Sequence, residues 1–228
     1  MAYTIKRNLL PSSKYGIKAP YAMTPQYITV HNTANDASAA NEMKYMLSNN
    51  NEVSYHIAVD DKEVIQGIPF DRNAWHCGDG RGSGNMKSIG VEICYSKSGG
   101  ARYAAAEENA VQYIAKLLKE RGWGIERVKK HQDWNGKYCP HRILNENCWK
   151  SFLKRIEQAM KPTTPTPTPT KEEPKVNTLT STAKDDLKAL LKEAKSKGIL
   201  KVDHSEKVGS MTDGEALGLL ISVVKRTL

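Results

Sequence analysis

Alternating proline and threonine from Pro162 to Thr170 set the first limit on how this 228-residue chain can fold. Proline fixes φ and lacks an N–H, so the run can form neither a helix nor a packed strand, and polyproline II is its expected state. At about 3.1 Å per residue these nine residues span roughly 28 Å, a semi-rigid spacer. The chain is therefore expected to divide into a domain over residues 1–160, a Pro/Thr-rich linker over 161–175 and a small helical domain over 176–228. Only the first is long enough to bury a sizeable core alone.

Within the first domain the hydrophobic period alternates between two and 3.6. Tyr27–His31 reads as a strand and Ser38–Asn49 as a helix with Met43, Met46 and Leu47 on one face. Ser54–Asp60 reads as a second strand, turning at Asp60-Asp61-Lys62 into Glu63–Ile68. A Gly-rich loop, 78–84, precedes Ser88–Cys94, whose alternation sets Ile89, Val91 and Ile93 against Gly90, Glu92 and Cys94. Tyr103–Arg121 is a long amphipathic helix stopped by Gly122, followed by a short strand ending at His131 and a last helix from about Asn147. The expected class is α/β: a mixed central sheet flanked by helices with a zinc site at one face, plus the helical C-terminal domain. In that tail Ser181 or Thr182 is expected to cap one helix, and Thr212-Asp213-Gly214-Glu215 is a capping box opening another. Two short helices make a thin core, so dimerisation through them, or packing on a partner, is expected.

The chain carries a net charge of +9, with +6 in residues 1–160 from 22 basic and 16 acidic side chains. Such a balance suits an anionic partner, although many soluble proteins are as basic without one. The basic residues are not interleaved with aromatics as on a nucleic-acid platform, so no nucleic acid is expected. No apolar run is long enough for a membrane span, and Met1–Gly16 lacks the apolar core of a secretion signal, so no membrane association and a cytoplasmic store are expected. Four scattered cysteines, with no CxxC pair, suit free thiols or a metal ligand better than a disulfide scaffold.

Chemistry concentrates around Lys130–Pro140, where His131 and Cys139 stand eight positions apart with Lys137 just before the thiol. That spacing suits a loop folded back so that both ends touch one object, such as a metal ion. His31 ends the apolar run from Tyr27. Two imidazoles and a thiolate make a zinc-type donor set with a fourth position open to water, as in catalytic sites. Glu92, beside the small Gly90, is placed to move protons, and Lys137 to meet a developing oxyanion. Each has an ordinary reading too: strand-end histidines, a buried thiol, a solvated strand glutamate, a loop lysine. His76, next to the Gly-rich loop, is a candidate substrate contact; His56 reads as structural, and His141 is the rival ligand.

Taken together, Thr29–Thr33, Ser54-Tyr55-His56, Ala74–Gly78, Ser88–Ile93 and the run from His131 through Lys137-Tyr138-Cys139-Pro140 resemble zinc-dependent N-acetylmuramoyl-L-alanine amidases. That family includes phage lysins, bacterial autolysins and the peptidoglycan recognition proteins. The resemblance covers about residues 20–158 and is nearest to endolysins of phages or prophages of Bacillus and its relatives. It implies a Zn2+ cofactor on His31, His131 and Cys139, an acid/base at Glu92 and an assisting Lys137. It further implies cleavage of the N-acetylmuramic acid–L-alanine amide in the peptidoglycan of a Gram-positive cell wall, with release from the host cytoplasm at lysis. The tail more loosely resembles wall-binding regions that hold secondary wall polymers. Cys77 departs from the family pattern, where alanine is frequent. A non-catalytic peptidoglycan receptor and a host autolysin are the rival readings; Cys139, Glu92 and Lys137 together favour the enzyme.

Overall fold

The computed structural model describes residues 3–161 and 178–227, which divide into two compact units, Met1–Thr163 and Thr164–Leu228. The Pro/Thr run lies outside the described residues. In the first unit six strands form one sheet: β1 (Thr4–Arg7), β2 (Tyr27–Asn32), β3 (Ile57–Val59), β4 (Glu63–Gln66), β5 (Ser88–Ile93) and β6 (Val128–Lys130), in the order β1-β4-β3-β5-β2-β6. Only β3 and β4 pair antiparallel; the rest are parallel. The helices of this unit are α1 (Tyr15–Lys18), α2 (Ala39–Ser48), α3 (Ser83–Lys87), α4 (Gly100–Arg121), α5 (Gln132–Asn135), α6 (His141–Asn145) and α7 (Trp149–Met160). This is the expected mixed sheet flanked by helices.

Parallel strands are covered on both faces, so their interiors are apolar. Ile28, Val30, Ile89, Val91 and Ile93 are completely buried, and α4 adds Ala110, Ile114, Leu117 and Leu118 to the same core. Gly122 ends α4 in the left-handed region at φ 63°, and the Trp123 N–H reaches back to the Leu118 carbonyl at 2.9 Å. Asp60 makes the β3–β4 turn: one carboxylate oxygen accepts from the N–H groups of Lys62 and Glu63, both at 2.8 Å, while the other accepts from Ala39 N–H at the start of α2.

Several elements differ from the sequence reading. The strand expected over Ser54–Asp60 is shortened to Ile57–Val59, because Ser54 exchanges hydrogen bonds with the Trp75 backbone and donates its hydroxyl to the Lys18 carbonyl. The Gly-rich loop contains α3. The polar N-terminal stretch supplies β1, an exposed edge strand made by pairing with β4. Two lysines there are structural: Lys14 Nζ binds the carbonyls of Leu47, Ser48 and Asn49, and the fully buried Lys18 Nζ binds Asn49 Oδ1 and the carbonyls of Asn51 and Val53. They neutralise the negative end of α2 and pin the following loop.

The second unit contains α8 (Ser181–Ser196) and α9 (Asp213–Thr227). Thr180, not Ser181 or Thr182, caps α8, its hydroxyl accepting from Ala183 N–H. The capping box of α9 forms: Glu215 N–H donates to Thr212 Oγ1 and Thr212 N–H to the Glu215 carboxylate. Leu187, Leu191, Leu200, Val208, Met211 and Val223 form the core of this unit, while Leu217, Ile221 and Val224 of α9 are exposed. Among the described residues no helix is long and apolar enough to cross a membrane.

His56 is wholly buried beside the sheet, accepting from Gly90 N–H at Nδ1 and donating from Nε2 to the Arg72 carbonyl. Burial pushes its pKa down from 6.5 to about 4. Between those values the unfolded chain binds a proton that the folded chain refuses, so stability must fall as pH drops through this window. We expect the group to contribute a loss of about 3 kcal/mol at pH 4. Denaturant melts of the wild type and His56→Gln from pH 7 to pH 4 check it: the variant should be less stable at pH 7 but show a shallower acid slope, by about one proton.

Candidate active site

The site forms because β5, β2 and β6 run parallel, so their C-terminal ends meet along one edge of the sheet, where ligands of open α/β sheets bind. His31 lies near the end of β2 and pairs in register with Glu92 on β5, while His131 directly follows β6. The loop after His131 winds one helical turn, reverses at Gly136 with φ 81°, and closes through a 3.0 Å bond from Gln132 N–H to the Cys139 carbonyl. Trp134 anchors it by donating from Nε1 to Thr29 Oγ1 on β2. The loop thus returns Cys139 to the end at which it began.

As a result His131 Nδ1 lies 3.0 Å from His31 Nδ1, and Cys139 Sγ lies 3.8 Å from the same atom. All three side chains are buried. His131 Nε2 faces the Cys77 carbonyl at 3.0 Å, which can only accept, so that nitrogen carries the proton and Nδ1 presents its lone pair. Burial holds His31 far below the usual histidine range, helped by its neighbours His76 and His131 and by the Lys137 ammonium; burial and Lys137 also lower His131. Both imidazoles are thus kept neutral, as ligands must be. Burial pushes the Cys139 thiol up to about 11 and the Glu92 charge adds to this, while backbone N–H groups of Asn32 and His141 and the Lys137 ammonium favour the thiolate. Two ring nitrogens and a cysteine sulfur drawn together out of water, the sulfur carrying a proton that a metal would displace, fit a metal ion.

Glu92 is half-buried and lines a cavity, with one carboxylate oxygen sealed from solvent. Its Oε2 is buried and has no hydrogen-bond partner among the described residues. Burial, reinforced by the Glu42 carboxylate and opposed by Lys137, raises its pKa to about 8. Lys137 is exposed on the loop and lines two cavities. One, of about 440 Å³, also holds Asn32, Glu42, Tyr55, Glu92 and Cys139; the other, of about 410 Å³, holds Trp75, His76, Asn85 and His131. The sequence reading brought together His31, His131, Cys139, Glu92 and Lys137, and the fold does the same. It missed Glu42 and Tyr55, joined by a 3.4 Å hydrogen bond at the cavity wall, because they belong to a helix and a loop distant in sequence. His76 lines the second cavity but is 93 % buried by its 7 % exposure, with its ring nitrogens turned to His31 and the Ser88 carbonyl. His141 opens α6 and its ring belongs to neither His/Cys cluster found among the described residues.

Comparison with known proteins identifies the family. Residues 21–142 match the family described as N-acetylmuramoyl-L-alanine amidase. The chain is 65 % identical over 162 residues to the N-acetylmuramoyl-L-alanine amidase CwlA of Bacillus subtilis, covering 71 % of this chain and 60 % of that protein. It is 62 % identical over 161 residues to XlyB of the same organism, covering 70 % and 51 % respectively. It therefore spans between about half and three fifths of the length of these curated relatives. Among solved structures, PlyL superposes with a TM-score of 0.66 at 60 % identity over 67 % of this chain and 96 % of PlyL. The PlyG catalytic domain does so with the same score and identity over 70 % of this chain and 97 % of that domain. With the donor cluster and the half-buried Glu92 lying inside the matched region, the chain belongs to the N-acetylmuramoyl-L-alanine amidase family.

Proposed function

We propose that this protein is a peptidoglycan hydrolase of the endolysin type, cleaving the amide between the lactyl group of N-acetylmuramic acid and L-alanine of the stem peptide. The observation that carries this reading is the orphaned Glu92 carboxyl beside a buried two-histidine, one-cysteine donor set. His31, His131 and Cys139 would hold Zn2+ through Nδ1, Nδ1 and Sγ. Bound there, zinc supplies Lewis-acid polarisation of the scissile carbonyl and lowers the pKa of a water toward about 7.

Glu92 takes the proton of the attacking water and later gives it to the departing alanine amine. Burial raises this carboxyl toward neutral pH, and general catalysis works best when pKa and working pH lie close. Lys137 supplies positive charge where the oxyanion develops. The cavities on either side of Lys137 leave room for the two arms of the substrate, glycan and peptide. The basic balance of residues 1–160 favours anionic wall polymers. Residues 176–228 act as a wall-binding module, and the Pro/Thr run as a tether that keeps the catalytic domain at high effective concentration.

Four outcomes are expected. Cys139→Ser should lose most bound zinc and most activity; full zinc content with full activity would refute the ligand assignment. Glu92→Gln should keep its zinc while kcat falls by about 10²–10⁴-fold, and wild-type digests of Gram-positive walls should release new N-terminal alanine without new reducing sugar ends. Reducing ends in place of alanine would overturn the bond assignment. A fluorescent reporter carrying residues 176–228 should decorate Gram-positive walls, and failure on every wall tested would remove the targeting role.

A further inference from the structure

His76 is not among the three proposed ligands, yet it is packed harder against the site than a substrate-binding side chain needs to be. Its backbone N–H and that of Cys77 both donate to Asn85 Oδ1, at 2.8 and 2.7 Å, and Asn85 is itself held by Asp79 and the Gly80 carbonyl. Its ring lies over Gly90 of β5, where an added Cβ would fall 2.8 Å from His76 Cγ. The Gly-rich loop and the glycine in the strand together fix where this imidazole sits.

The protons on that ring follow from its partners. His76 Nε2 is 3.3 Å from the Ser88 carbonyl oxygen, which can only accept, so Nε2 carries the hydrogen and Nδ1 carries the lone pair. The Cys77 thiol and His31 Nε2 both lie 3.0 Å from that lone pair; a bare His31 Nε2 there would set lone pair against lone pair, so His31 is assigned the N–H and shares the acceptor with the Cys77 S–H. A neutral imidazole has one such hydrogen, so His31 Nδ1 is left with its lone pair, facing His131 Nδ1 and Cys139 Sγ. We propose that His76 is a positioning residue: by accepting from His31 Nε2–H it fixes the tautomer and ring orientation with which His31 presents Nδ1 to the metal. This rests on the ligand set assigned above. Metal-bound histidines characteristically have the other ring nitrogen engaged in this way.

A second trio, His31, His76 and Cys77, also brings its ligand atoms within 4.8 Å of one another. In the tautomer pattern just derived, His31 Nε2 is protonated and unavailable to that trio. The same bond is thus what directs a single ion to the side of Glu92.

The test uses the full-length protein. His76→Phe keeps a ring and removes the acceptor; His76→Gln keeps an acceptor. Zinc affinity is measured by chelator competition and ligand geometry by the visible spectrum of the Co2+-substituted protein, alongside kcat and KM on wall fragments. His76→Phe should bind zinc about 10–100-fold more weakly, with an altered cobalt spectrum and an unchanged KM, and His76→Gln should recover part of the affinity. Unchanged affinity and spectrum in a folded His76→Phe would overturn the proposal, and a change confined to KM would make His76 a substrate contact instead. Should His76→Phe not fold, long-range 1H–15N spectra of the wild type decide: hydrogen on Nε2 of both His31 and His76 is expected, and hydrogen on Nδ1 of either overturns it. If Cys139→Ser binds zinc as tightly as the wild type, the ligand reading fails first, whatever His76 does.

Discussion

Everything at the site depends on three parallel strands ending together. Register between β2 and β5 sets His31 beside Glu92, and the pairing of β2 with β6 brings His131 to the same edge. Parallel strands need long crossover connections, so these residues come from chain segments far apart in sequence. The apolar strands supply the free energy, burying completely Ile28, Val30, Ile89, Val91 and Ile93. The polar groups are carried to the strand ends, where the core stops.

Burial then makes the chemistry. The same loss of water that lowers the histidines raises Glu92 and the Cys139 thiol, so each group is pushed toward its neutral form. Neutral is the form in which an imidazole can bind a metal, and a carboxyl raised toward neutral pH can pass between its proton-taking and proton-giving forms, as the proposed role of Glu92 requires. It is the wrong form for a thiolate ligand, and there the N–H groups of Asn32 and His141 and the nearby lysine work in the opposite direction. A metal ion would complete that correction, since a coordinated thiol loses its proton.

The basic character of the chain has two origins that composition cannot separate. Lys14 and Lys18 spend their charge on carbonyl groups at the end of α2 and in the loop after it. That loop reaches Val53, which lines both cavities. Part of the positive excess therefore shapes the walls of the site rather than attracting a polymer, whereas Lys137 stands exposed between the two cavities.

Local patterns determined much. The alternation of β5, the stripe and glycine stop of α4, the capping box of α9 and the spacing from His131 to Cys139 are all written in neighbouring residues, because they depend on backbone periodicity and capping alone. The candidate ligand and acid/base residues could be singled out for a related reason: few side chains can bind a metal or move a proton, and His31, Glu92 and His131 stand at or just past strand ends. Only the tertiary structure decided that Thr4–Arg7 is a strand, since its four exposed residues gain order solely from pairing with β4. It alone decided that Gly90 is small to admit the His76 ring and that His76 turns toward His31 rather than outward. Those facts are contacts across long stretches of chain, set by packing volume and by which carbonyl lies opposite which nitrogen, and no local period encodes them.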